Sequence, residues 1–199
     1  MKKQYKDSEF SLTINEIQIL INACDNMRDR MIVESLYYPA LRRFEVCDLC
    51  IENIDFNRGR IEVLGKGNKL SPIPVGSLYP QYIANLKHFI GNKRMGFIFL
   101  SNRGRKLEIS RINQILAKIG EKANIKNPNP HKKHINPHIF RHSQARHLKN
   151  RRFQIEFVQK YLRHTKRETT ADTYGTLSID EMENLAIEND QVNTQRMLR

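Results

Sequence analysis

Apolar residues recur at helical spacing from the start of the chain. Ile14, Ile17, Leu20 and Ile21 keep one face, and Thr13 with Glu16 has the spacing of a capping box. A first helix is predicted there, after a polar lead-in over residues 1–10. A second apolar stretch, residues 31–38, runs to Pro39, and residues 41–49 read as a further helix with Leu41, Glu45 and Asp48 close along it. The pattern then changes. Residues 51–56 end in the turn Asn57-Arg58-Gly59, residues 60–64 form a short strand, and Gly65-Lys66-Gly67-Asn68-Lys69 reads as a tight turn, because glycine supplies the positive-φ positions. Residues 70–75 return as a third strand, and Pro72 and Pro74 mark it as an edge.

From Tyr79 onward helical signals dominate. Residues 97–100 form a short buried segment before the turn Asn102-Arg103-Gly104, and Ser110 is expected to cap a helix through Ile112, Ile115, Leu116 and Ile119. Asn127-Pro128-Asn129-Pro130 breaks the chain. Asn136-Pro137 starts the next helix, since asparagine caps well and proline suits the first turn. That helix puts His138, Arg141 and Ala145 on one face. Phe157, Val158, Tyr161 and Leu162 form another. The expected class is mainly α (α+β), helices around a small three-stranded antiparallel sheet.

Charge narrows the partner. The chain has 199 residues, 34 Lys plus Arg against 21 Asp plus Glu, and a formal charge of +13. Such an excess points to a polyanion. It is also uneven: residues 131–167 carry 11 Lys or Arg and one acid, Glu156, whereas residues 178–191 carry acids and no Lys or Arg. No apolar run approaches the ~20 residues that span a bilayer, so no membrane role is expected. The N-terminus lacks the apolar stretch of a signal peptide. Three cysteines, Cys24, Cys47 and Cys50, make no disulfide framework, which favours a reducing, cytoplasmic setting.

Six scattered residues carry candidate chemistry: Arg42, Lys66, His138, Arg141, His164 and Tyr174. Guanidiniums bind phosphate oxygens through a planar fork and stay charged. A lysine ammonium donates a proton. A phenol, with a pKa of ~10, needs nearby positive charge to act as a nucleophile. Singly, each residue is commonplace: surface arginines, exposed hairpin lysines and core tyrosines are ordinary. His131, His134, His138 and His142 lie near helical spacing, and Cys47-Asp48-Leu49-Cys50 is a Cys-x-x-Cys. One such pair lacks a second, and Pro137 separates His134 from the helix, so no metal is expected.

Taken in order, these residues make the chain resemble the catalytic domain of tyrosine recombinases, the phage integrase, Xer-like and Cre-like enzymes, from about Leu12 to Tyr174. Pro39-Ala40-Leu41-Arg42 followed by Glu45 is similar to the family's Thr-Gly-Leu-Arg helix start with its glutamate three residues on. Arg43 is the rival for the first arginine. Pro137-His138-Ile139-Phe140-Arg141-His142 matches Pro-His-x-x-Arg-His, the most specific stretch. Leu162-Arg163-His164 stands where the family usually has Leu-Gly-His, and Tyr174 follows ten residues after His164.

The resemblance implies a helical catalytic domain over residues 11–178 with a tail over 179–199, and a metal-free, cofactor-free reaction. Tyr174 would attack a phosphodiester of double-stranded DNA and form a 3′-phosphotyrosine. Arg42 and Arg141 would clamp the phosphate, Lys66 in the hairpin turn would be the general acid (Lys69 its rival), His138 would donate to a non-bridging oxygen or help with the tyrosine proton, and His164 would be a further catalytic residue. Glu45 would orient Arg42. Arg43, Lys69, Arg163, Lys166 and Arg167 are expected to contact DNA.

The tail's apolar group, Met182, Leu185, Ala186 and Ile187, would either dock on a neighbouring protomer or fold back on its own domain. The resemblance further implies a homo-oligomer, a tetramer on DNA, in a prokaryotic or mobile-element setting. The family's usual N-terminal DNA-binding domain is expected to be absent. The alternatives are a type IB topoisomerase-like enzyme, a binding-only descendant, and, more remotely, an RNA-binding protein.

Overall fold

The computed structural model describes residues 10–64, 70–163 and 178–197. Its centre is a helix buried on every side over its second half. Helix α1 (Ile14–Asn22) begins at the Thr13 capping box, with Glu16 N–H donating to Thr13 Oγ1 and Thr13 N–H to Glu16 Oε2. Its buried Ile17, Leu20 and Ile21 face α2 (Met27–Tyr37), in which every residue from Met31 to Tyr37 is buried. A helix surrounded on all sides is a core helix. Each fully buried aliphatic side chain there contributes about 1.5–3 kcal/mol. Its two interior polar groups are satisfied. Glu34 accepts from Arg30 at 2.8 Å, and Ser35 bonds the Tyr82 hydroxyl at 2.9 Å.

The chain leaves α2 through a sharp turn. Pro39 cannot continue the helical ladder, Ala40 takes a left-handed φ of 50°, and Leu41 N–H donates back to Ser35 O. Helix α3 therefore runs Arg43–Asp48, two residues later than the periodicity predicts, with Arg42 extended at its N-cap. A one-turn 3-10 helix, Ile51–Asn53, precedes β1 (Ile54–Asp55), so the first half of the strand expected over 51–56 is helical instead. Its 3-10 turn is fixed by Asn53, whose side chain accepts from Cys50 N–H. Strands β2 (Arg60–Leu64) and β3 (Leu70–Ile73) complete an antiparallel sheet in the order β1-β2-β3. Pro72 lies opposite Glu62 on the edge strand, where its missing N–H costs no ladder bond on the outer side. At the sheet's end Gly59, with φ of 62°, meets Gly76 so closely that a Cβ on either would lie 2.7 Å from the other's Cα.

Helices α4 (Val75–Leu78) and α5 (Pro80–Ile90) lead back across α2. Helix α6 spans Ile109–Lys122; its N-cap is Glu108 rather than Ser110, which is exposed on the first turn. Helix α7 (Pro137–Asn150) starts as the sequence predicts: Asn136 accepts from the N–H groups of His138 and Ile139, with Pro137 in the first turn. It packs on α2, α6 and α8 (Ile155–Tyr161). Helix α9 (Ile179–Met197) folds back on the same domain. Met182 and Ala186 are buried, the helix contacts α4, and Arg60 pairs with Asp180 and Glu183 at 2.6 Å each. Among the described residues no helix is long and apolar enough to cross a membrane.

Candidate active site

Three separate pieces of chain meet where α2 turns into α3. The first is Arg42, whose place follows from its role at the N-cap of α3. Its backbone N–H donates to Glu45 Oε2 at 2.7 Å, and its Nη1 to Glu45 Oε1 at 2.8 Å. Both bonds join residues three apart, so the local helix start brings the Arg42 guanidinium to Glu45. The side chain is 28% exposed, which leaves it reachable from outside. Arg43, the rival, sits exposed on the next position and points out of this group.

The second piece is the first half of α7. Arg141 is buried, and its Nη1 donates to the carbonyl of Ala40 at 2.7 Å. Its Nη2 is also buried and has no acceptor among the described residues. Burial, then the nearby Arg163 and Arg42 cations, push its pKa down to about 9, against the pull of Glu45. The guanidinium still carries its charge at neutral pH. A charged donor buried in this state is costly until an anion reaches it. His138 lies one turn before Arg141 on the same helix and is exposed at the helix entrance.

The third piece is the end of α8. Arg163 has a left-handed φ of 53°, and its side chain is only 9% exposed. Its Nη2 donates to Glu45 Oε2 at 2.8 Å and to Ala40 O at 3.2 Å; its Nη1 reaches Tyr161 O and Pro39 O at 3.1 and 3.3 Å. Its own carbonyl accepts from Arg42 Nη2 at 2.9 Å. Arg163, expected from the sequence to face DNA, thus makes its contacts inside the domain here. The guanidinium is turned inward, its two terminal nitrogens bonded to Glu45 and three carbonyls, while its buried Nε has no partner among the described residues.

Two of the three pieces carry backbone strain. Ala40 and Arg163 are non-glycine residues in the left-handed region, at about 1–2 kcal/mol each. They are also bonded to each other, through the Ala40 carbonyl that Arg141 shares. Glu45 is the hinge of the group, with a side chain 2% exposed. Burial by itself would raise its pKa, but the Arg163 charge and the two hydrogen bonds from Arg42 outweigh this and hold it below the ordinary glutamate value. Three guanidiniums around one carboxylate leave the group strongly positive.

Of the sequence-predicted residues, Arg42, Glu45 and Arg141 come together and His138 stands at the edge of the same helix. Lys66, Lys69, His164, Lys166, Arg167 and Tyr174 lie outside the described residues. Tyr161, the other tyrosine near His164, is a core residue: 1% exposed, it donates to the carbonyl of Tyr38 at 2.9 Å. Cys47 is buried, and burial first among the causes pushes its thiol up to about 11. Sequence reasoning missed that Arg163 belongs to this cluster, and that the Ala40 carbonyl ties two of its guanidiniums. The available signal was that both residues stand where the resembling motifs carry glycine.

Comparison with known proteins identifies the family and the fold. The sequence profile of the phage integrase family matches residues 11–180. Tyrosine recombinase XerA of Pyrococcus furiosus is 35% identical over 169 residues, covering 80% of this chain and 55% of that protein. Tyrosine recombinase XerD of Halalkalibacterium halodurans is 29% identical over 170 residues, again with 55% of its length covered. The chain therefore spans about half the length of these relatives. Among solved structures, the XerA recombinase superposes with a TM-score of 0.64 at 25% identity, covering 89% of this chain and 64% of that one. The lambda integrase catalytic core gives 0.61 at 17% identity, with 80% and 94% covered, which shows a shared fold. The profile match takes in all three pieces that build the arginine cluster, and on it the chain belongs to the phage integrase family.

Proposed function

We propose that the chain is the catalytic domain of a site-specific DNA recombinase or integrase, which cuts and rejoins strands through a covalent 3′-phosphotyrosine. The observation that carries this reading is the meeting of Arg42 and Arg141, 99 positions apart in sequence, beside a carboxylate that holds only part of their charge. Fixed cationic donors are worth most where charge develops, as on a pentavalent phosphorus.

In the reaction, the Tyr174 oxygen forms a bond to the phosphorus while the bond to the 5′ oxygen breaks. The tyrosine proton leaves to a neighbouring base, with His138 and His164 the candidates. Lys66 supplies the proton that the 5′ oxygen takes up. Arg42 and Arg141 hold the non-bridging oxygens throughout. Rejoining runs the same steps backward: a 5′ hydroxyl attacks the phosphotyrosine and Tyr174 is released. The energy of the broken link stays in the phosphotyrosine bond.

Double-stranded DNA is the partner in this reading. The basic balance of the chain supports it, as do related structures described as bound to DNA, a transposon integrase with its transposon right end among them. On DNA the chain works as a homo-oligomer, a tetramer, within the cytoplasm of a prokaryotic or mobile-element host. The test is incubation with a nicked suicide duplex without magnesium, followed by a denaturing gel. A covalent band is expected that disappears in Tyr174→Phe and falls by about 10²–10³-fold in rate in Arg141→Ala. No band on a duplex that the protein binds would favour a binding-only protein.

A further inference from the structure

We infer that Arg163 is a positioning residue of the cleavage pocket: it supplies Glu45 with a second countercharge, so that Arg42 and Arg141 both remain available to a phosphate. This rests on the reading of the pocket as a site of DNA cleavage.

The geometry carries the inference. Glu45 accepts from Arg42 Nη1 on one carboxylate oxygen and from Arg163 Nη2 on the other, both at 2.8 Å. With Arg163 present the cluster holds three guanidiniums and one carboxylate, a net of 3 − 1 = +2. Without it the count is 2 − 1 = +1, and the Glu45 charge falls on Arg42 alone. A bound phosphodiester carries one negative charge, and its pentavalent transition state carries more. The second positive charge therefore acts mainly on the chemical step rather than on DNA binding.

Arg163 is also fixed too firmly to be an incidental surface arginine. Its side chain is nine-tenths buried, and carbonyls of Pro39, Ala40 and Tyr161 accept from its Nη1 and Nη2, leaving only the buried Nε without a partner among the described residues. Its backbone sits at a φ of 53°, where glycine is the unstrained choice, so the long side chain is retained against a conformational cost. Its carbonyl accepts from Arg42 Nη2, which ties the position of Arg42 to the residue directly before His164 in the chain. Arg163 thus adds to the charge of the pocket and, with Glu45, fixes the aim of Arg42.

Three variants test this: Arg163→Gly, which suits the backbone; Arg163→Gln, which removes the charge; and Arg163→Lys, which keeps it. Binding of the nicked duplex and single-turnover formation of the covalent complex are measured for each. Arg163→Gly and Arg163→Gln are expected to bind within about threefold of the parent and to cleave about 10²-fold more slowly. Arg163→Lys, as strained as Arg163→Gln, is expected to recover a large part of the rate. Parent-like cleavage by Arg163→Gln, or equal rates for the Gln and Lys variants, would overturn the inference. A binding loss as large as the rate loss would do the same.

A second measurement is independent of cleavage. The Glu45 carboxyl is followed by carbon NMR as pH is lowered on the free chain, with assignment by Glu45→Gln. It is expected to titrate at higher pH in Arg163→Gln than in the parent, with Arg163→Lys between. An unchanged titration would sink the inference even if cleavage is seen. If the parent forms no covalent complex, the cleavage reading fails by itself, and the Glu45 titration still decides whether Arg163 sets the charge of the pocket.

Discussion

Glu45 and Asp25 are both carboxylates flanked by two cations, and the fold treats them in opposite ways. Glu45 lies 2% exposed between Arg42 and Arg163. Asp25 lies 47% exposed between Lys118 and Lys122, on the face where α6 passes the end of α1. Hydrogen bonds from Lys122 and Lys118 pull Asp25 down to about 2, a large shift on an open surface. Glu45 reaches a lowered pKa only because its arginines overcome the penalty of burial. A pKa shift alone therefore does not say which group matters. Water already solvates Asp25 and screens its lysines, so losing the pair changes little. Nothing replaces the partners of Glu45, so losing one strands a buried charge.

The sharpest break of this comparison is Glu45→Gln. It leaves Arg163 in the interior without its carboxylate, and a loss of about 3–5 kcal/mol is expected in urea unfolding. A loss under about 1 kcal/mol would mean that water screens the pocket as it screens Asp25.

The pH dependence follows from the same lowered pKa. A carboxyl held below its unfolded value contributes stability that is present above that value, 4.5 here, and is lost as pH falls through the folded one. Parent stability should fall on acidification below about pH 4.5, and this acid limb should be shallower in Glu45→Gln. Parallel limbs in the two proteins would count against the ion pairs that hold Glu45.

Arg60 is the intermediate case. Its side chain is 16% exposed, and it grips Glu183 through two nitrogens and Asp180 through one. Arg60→Ala should cost about 1–2 kcal/mol and speed amide exchange along α9, because a forked pair outlasts a single exposed one. Exchange that speeds equally in α7 would show global loosening instead. The smallest effect belongs to Asp25→Asn, whose melting temperature should match the parent's at 0.15 M salt. A clear drop there would break the contrast with Glu45.

Several elements were legible in the sequence, each for a local reason. Thr13 with Glu16 and Asn136 with Pro137 set two helix starts by bonds within four residues. Strand β2 spans the residues expected, and Pro72 marks the edge that β3 occupies, although β3 ends at Ile73 and Pro74 instead caps α4. Glu45 as the partner of Arg42 also lies within one helical turn. Where the reading slipped, a distant contact or a turn had outvoted the period. Helix α3 starts late because Ala40 turns left-handed after Pro39 and hands the Leu41 N–H to Ser35. Ser110 caps nothing because α6 has already begun at Ile109.

Arg163 shows the limit most clearly. It lies in the strongly basic stretch over residues 131–167, and charge patterning sends such a residue to the surface and to DNA. The fold sends it inward, to a carboxylate 118 positions earlier in the chain. The sequence by itself determined the caps, the strand edge, the helical periods and the residue types that can hold a phosphate, because these depend on spacings of a few residues. Only the tertiary structure decided which arginines meet at Glu45 and which one stays open, because that depends on burial and on contacts made across more than a hundred residues of chain.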